Sequence, residues 1–93
     1  DIAINLSDGV MNVTILKFPT DEMAGDERGK DFVGLHHIGF EVEDLKAFCD
    51  MLEARGIEFF VPYRDIPVIE LKIALFTDPS GVVIELTEGF DLY

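Results

Sequence analysis

The chain has 93 residues, 48% of them apolar, with 7 basic against 19 acidic side chains and a formal net charge of -12. That length suits one small domain, and small domains are marginal alone, so a homodimer is expected. Nucleic acid and anionic membranes need a basic surface, so neither is expected as a partner; an acidic surface by itself mostly means solubility.

The opening residues, DIAINLSDG, carry no basic segment ahead of an apolar one and do not read as a signal peptide. They also lack an initiator Met, so the chain is expected to be processed, trimmed or partial. Ile2, Ile4 and Leu6 alternate with Ala3, Asn5 and Ser7 in the period-two pattern of a strand. Asp8-Gly9 is a tight-turn dipeptide, and residues 10–17, VMNVTILK, form a second strand, giving a β-hairpin. Residues 18–33 hold one Pro, two Gly and many charges, and read as a long surface connection.

Residues 35–42 form the next strand, with Ile38, Phe40 and Val42 on one face and His37, Gly39 and Glu41 on the other. Glu43 or Asp44 caps a helix over 45–55, whose apolar stripe is Leu45, Phe48, Cys49 and Leu52, and Gly56 ends it. Cys49 is the sole cysteine, which excludes an internal disulfide and a polythiolate zinc site; it reads as a small core residue. A reducing, cytoplasmic location fits it, and no apolar run approaches the roughly 20 residues of a membrane span.

Residues 57–61 form a short strand, broken over 62–68 by two prolines. Residues 69–77 alternate Ile69, Leu71, Ile73 and Leu75 with Glu70 and Lys72. Asp78-Pro79-Ser80-Gly81 is a turn, and residues 82–87 are the last strand. The tail from 89 to 93 has no pattern.

From Leu35 the order is β-α-β-β-β. One helix covers one face of such a sheet. Ile38, Phe40 and Val42 are the expected helix-side core, so His37 faces away from it. In the last strand Val82, Ile84 and Leu86 alternate with Val83 and Glu85, which puts Glu85 on the open face with His37. An imidazole and a carboxylate suit a divalent cation such as Zn, Fe, Mn, Ni or Co; a partly exposed His and a surface Glu are the plain alternative. His36 has the opposite parity and is expected at a strand end or core edge.

Residues 35–45, LHHIGFEVEDL, with residues 76–86, FTDPSGVVIEL, resemble one βαβββ module of the vicinal oxygen chelate superfamily. That superfamily includes glyoxalase I, methylmalonyl-CoA epimerase, extradiol dioxygenases and bleomycin/fosfomycin resistance proteins. The resemblance implies an α+β fold with a βαβββ module over 34–88 and a tail over 89–93. Ahead of the module stand the terminal β-hairpin of an incomplete first module over 1–17 and a connecting loop over 18–33. It implies that His37 and Glu85 are metal ligands and that the open face is a site. Gly9 matches Gly81, and counting from the glycine places Val13 where Glu85 stands; a one-residue register shift would bring Asn12 or Thr14 there instead. None of these is a strong ligand, so the missing ligands precede Asp1, come from another chain, or no metal binds.

The resemblance thus implies a metal-dependent lyase, isomerase or dioxygenase acting on a small molecule with vicinal oxygens, with Glu85 also moving a proton. The alternatives are a metal-free binding or resistance protein using the same cleft, and an inert domain whose open face is a dimer interface. Arg64 is a candidate for an anionic substrate group, Glu41 for the rim, and Asn12 for the substrate contact if the register shifts.

Overall fold

The computed structural model describes residues 2–25 and 29–90. Its contacts divide the chain after Gly34 into two units. No described helix is long and apolar enough to cross a membrane.

In the first unit, β1 (Ile2–Ser7) pairs antiparallel with β2 (Asn12–Lys17), with Ser7 opposite Asn12, Asn5 opposite Thr14 and Ile4 opposite Ile15. The connection is therefore residues 8–11, longer than the expected two-residue turn. The reason is Asp8: its Oδ1 accepts from the amides of Val10 and Met11, both at 2.9 Å, which holds them out of the ladder. The connection expected over 18–33 contains one helical turn, α1 (Asp21–Ala24). Thr20 caps it by accepting from the Met23 amide at 3.2 Å, and Asp21 and Glu22 put negative charge at its positive end.

The second unit runs β3 (Ile38–Glu41), α2 (Leu45–Ala54), β4 (Phe59–Ile66), a 3-10 turn (Pro67–Ile69), β5 (Leu71–Thr77) and β6 (Val83–Glu88). The strands form one sheet in the order β3-β6-β5-β4, parallel between β3 and β6 and antiparallel elsewhere. The fold is α+β, with one principal helix against the sheet.

Helix α2 begins where Asp44 accepts from the Ala47 amide at 3.1 Å. It ends where Gly56, at φ 95°, turns the chain so that its amide and that of Ile57 reach the carbonyls of Glu53 and Leu52. A second tie comes from the sheet: Glu88 Oε1 accepts from the Leu45 amide at 2.9 Å, and Glu88 Oε2 pairs with Lys72 Nζ at 2.9 Å. The stripe of α2 buries Leu45 and Cys49 against Ala74 and Leu86, with Val42, Phe48, Leu52, Phe59, Tyr63, Phe76 and Ile84 around them. The Phe59 and Phe76 rings meet edge to face at 5.5 Å. Burial raises the pKa of the Cys49 thiol, in keeping with its place in the core.

Four expectations need correcting. The strand expected over 35–42 is regular only from Ile38, so Leu35, His36 and His37 lie before it. Ile38 and Phe40 pair with Ile84 and Leu86 on the helix side, yet they are 39% and 54% exposed. β3 is an edge strand and α2 packs on β4, β5 and β6; of the expected trio, Val42 alone joins the core. Pro62 does not end β4, which runs through it to Ile66 and contains Tyr63 and Arg64. β4 is the other edge, where a missing amide hydrogen is tolerated, and its register shifts on either side of Val61. Finally, Ile69 belongs to the 3-10 turn, and β5 begins at Leu71.

Candidate functional site

Pairing fixes which side chains share the face away from α2. Glu85 lies between Gly39 on β3 and Leu75 on β5, and Leu75 lies beside Val61 on β4. The next row is Glu41, Thr87, Ile73 and Arg64, and Thr77 with Val83 follows on the other side. The middle of this face is thus apolar, with Ile73, Leu75 and Val61 across it.

At the β3 edge, His37 Nε2 stands 3.7 Å from Glu85 Oε1, both side chains being half-buried. Gly39 makes this approach possible: a Cβ there would meet Glu85 Oε1 at 3.3 Å, tight enough to push the carboxylate away from the imidazole. Burial pushes the His37 pKa below the ordinary histidine value, and the neighbouring His36 acts in the same direction, while Glu85 opposes both. The shift favours the neutral ring, the form in which an imidazole ligates a metal.

His36 is closer to this pair than its parity predicts. Its Nδ1 lies 2.8 Å from His37 Nδ1, with the rings edge to face at 5.1 Å. Period-two alternation holds only within a regular strand, and both histidines precede Ile38, where the strand begins. The signal that would have found His36 is the adjacency of the pair itself, read with a later strand start.

The structure places the other sequence-derived candidates differently. The Glu41 carboxylate is engaged at the end of β6, accepting from Thr87 Oγ1 at 3.1 Å, the Gly89 amide at 2.7 Å and the Phe90 amide at 3.2 Å. Arg64 is exposed on β4, three strand spacings from β3, or roughly 14 Å at the usual separation. Asn12 begins β2 in the first unit, and its Oδ1 is buried without a hydrogen-bond partner among the described residues. Thr14, not Val13, is the strand counterpart of Glu85. Ser7 faces Asn12 across four loop residues, where Thr77 faces Val83 across five, so the shorter loop moves the register by one. The Thr14 hydroxyl donates to Asn5 Oδ1 at 2.8 Å.

The residues present fit a divalent cation in part. Two ligand atoms each about 2.1 Å from a tetrahedral zinc lie ~3.4 Å apart, close to the observed His37–Glu85 separation. Among the described residues, however, no group of three or more His, Cys, Asp or Glu comes together as a metal cluster. The pair supplies two ligands of a site, not a closed one.

Comparison with known proteins follows this geometry. The family model of the Glyoxalase/Bleomycin resistance protein/Dioxygenase superfamily matches residues 4–86. A crystal structure of a glyoxalase/bleomycin resistance protein/dioxygenase from Alicyclobacillus acidocaldarius is similar at 26% sequence identity and a TM-score of 0.48. The match covers 72% of this chain and 56% of that one, so the chain spans a little over half the length of that neighbour. Comparison with curated proteins gives no significant match.

Proposed function

The chain belongs to the glyoxalase/bleomycin resistance protein/dioxygenase superfamily, and we propose that its open sheet face binds a small molecule with vicinal oxygens, with His37 and Glu85 as ligands of a divalent cation. The observation that carries this reading is the convergence of a half-buried imidazole and a carboxylate at 3.7 Å on the face the helix leaves uncovered.

His37 and Glu85 would hold the ion, one of Zn, Fe, Mn, Ni or Co, and a cation there supplies Lewis acidity toward two adjacent oxygens of a bound molecule. The protein's own groups do the rest. Glu85 has the lone pairs to accept a proton from a carbon beside those oxygens and return it, the role of a general base and acid. Leu75, Ile73 and Val61 present an apolar surface that keeps water from the bound molecule and fixes its orientation. Arg64, at the far edge, offers a guanidinium to an anionic group at the molecule's other end. A lyase, an isomerase or a dioxygenase all fit this arrangement.

A second reading, a metal-free binding or resistance protein, is favoured by the same apolar row, which recognises a small molecule without any cation. Calorimetric titration of the purified chain with zinc or manganese separates the two. Saturable binding lost in both His37→Ala and Glu85→Ala supports the metal-dependent reading. Binding that survives both substitutions rejects it and leaves the metal-free reading.

A further inference from the structure

The Glu41 carboxylate is held by donors from far along the chain. Asp8 and Asp78 accept amides of their own turns, two to four residues on. Glu41 instead reaches from β3 to the end of β6. Its Oε1 accepts from the Gly89 amide at 2.7 Å, and its Oε2 accepts from Thr87 Oγ1 at 3.1 Å and from the Phe90 amide at 3.2 Å. Other contacts fix these donors in place. Thr87 is 5% exposed and lies in β6, between Glu41 on β3 and Ile73 on β5. Gly89 has φ 88°, and a Cβ there would stand 2.6 Å from the Glu70 carbonyl oxygen, so glycine is needed to bring this amide here.

We propose that Thr87 Oγ1 and the Gly89 and Phe90 amides form a carboxylate-binding site, that Glu41 fills it from within the chain, and that a small molecule bearing a carboxylate binds there by displacing Glu41. Successive backbone amides aimed at one point are a common way for proteins to hold an anion. Three neutral donors spread over two oxygens suit a planar carboxylate, and among the described residues no Lys or Arg pairs with Glu41. Exchange of one carboxylate for another leaves no donor unmet, so displacement avoids the cost of an unsatisfied amide. Glu41 is thus the ligand's competitor, not its contact. Being tethered, it competes at an effective concentration of roughly millimolar or more. Thr87 shares the open face with Ile73, one row from Glu85 and Leu75. That the rest of the molecule lies along this apolar surface rests on the binding face proposed above; the carboxylate site does not.

Acetate tests the carboxylate site alone. In Glu41→Ala, acetate should move the Gly89 and Phe90 amide signals of 1H–15N spectra along a saturating curve, while chloride at the same ionic strength leaves them in place. In the wild type the half-saturating concentration should be at least roughly tenfold higher, because Glu41 competes. Adding Thr87→Val to Glu41→Ala should weaken acetate binding. Acetate shifts that are absent from Glu41→Ala, or that match those of the wild type, would overturn the proposal. If Glu41→Ala is unfolded in chloride, acetate is expected to restore its folded spectrum; a chain unfolded in both salts would reject the site. Hexanoate separates this inference from the binding face proposed above. Tighter binding than acetate to Glu41→Ala supports both, whereas equal binding supports the carboxylate site and removes the apolar row from it.

Discussion

The hairpin β1–β2 and the hairpin β5–β6 are built on the same plan and end in opposite circumstances. Each turn follows an aspartate whose Oδ1 accepts backbone amides, from Val10 and Met11 in one and from Ser80 and Val82 in the other. Aligned by their ladders, Ile4 matches Ala74, Ile15 matches Leu86, Thr14 matches Glu85 and Lys17 matches Glu88. In the second hairpin that apolar face lies under α2, with Ala74 at 0% and Leu86 at 3% exposure. In the first, Ile4 is 52% and Ile15 55% exposed. Alternation prepares a face; the helix laid on it makes a core. The chemistry follows the same division. The carboxylates that serve the second hairpin, Glu85 toward His37 and Glu88 toward the helix start, are replaced in the first by Thr14 and Lys17.

The strongest test of this contrast replaces matched apolar residues. Leu86→Ala should lower the stability of the second unit by about 2–5 kcal/mol, read as a fall in the denaturant midpoint. Ile15→Ala, at the matched exposed position, should cost under about 1 kcal/mol. Equal losses would show that the hairpin face is as well packed as the core.

Next is Glu85→Thr, which gives β6 the residue its counterpart carries. If the proposed site is correct, cation binding falls by more than the roughly 10–100-fold caused by losing a supporting hydrogen bond, while the unfolding midpoint barely moves. Unchanged zinc titration would break the assignment.

Glu88 supplies a pH test. The Leu45 amide, and after it the Lys72 ammonium, hold its pKa below the ordinary value of 4.5. The unfolded chain then binds this proton at higher pH than the folded one. The stabilisation is complete above 4.5 and is lost as pH falls through the folded value. Wild-type Tm should drop more steeply than that of Glu88→Gln between about pH 5 and pH 3; parallel curves would remove Glu88 from the helix start.

The smallest effect is expected from Thr14→Val, which removes the exposed bond to Asn5 for about 0.5–1 kcal/mol. A larger loss would mean that this face of the hairpin does more than hold its own register.

Much of the second unit was legible in the sequence because its signals are local. Asp44, the Leu45-Phe48-Cys49-Leu52 stripe and Gly56 mark a helix by spacing alone, and alternation along the last strand put Glu85 on the face away from that helix. What stayed hidden depends on neighbours far along the chain. Exposure of Ile38 and Phe40 follows from β3 lying at an edge while α2 packs on β4, β5 and β6. Pro62 sits inside β4 because that strand is the opposite edge. The His36 contact depends on where β3 becomes regular, and the Thr14 register on how Asp8 uses its carboxylate, neither of which alternation encodes.

The sheet order has a consequence for how the second unit is made. β6 is the last of the described strands in sequence, yet it lies inside the sheet, with β3 on one side and β5 on the other. Until it emerges from the ribosome, β3 lacks its one neighbour among the described strands, α2 lacks Leu86 beneath it, and the Leu45 amide has no acceptor in Glu88. Pairing strands so distant in sequence is entropically slow. This unit should therefore assemble after translation of β6, in one late cooperative step, and a ribosome stalled before Val83 should hold a nascent chain that proteases cut freely.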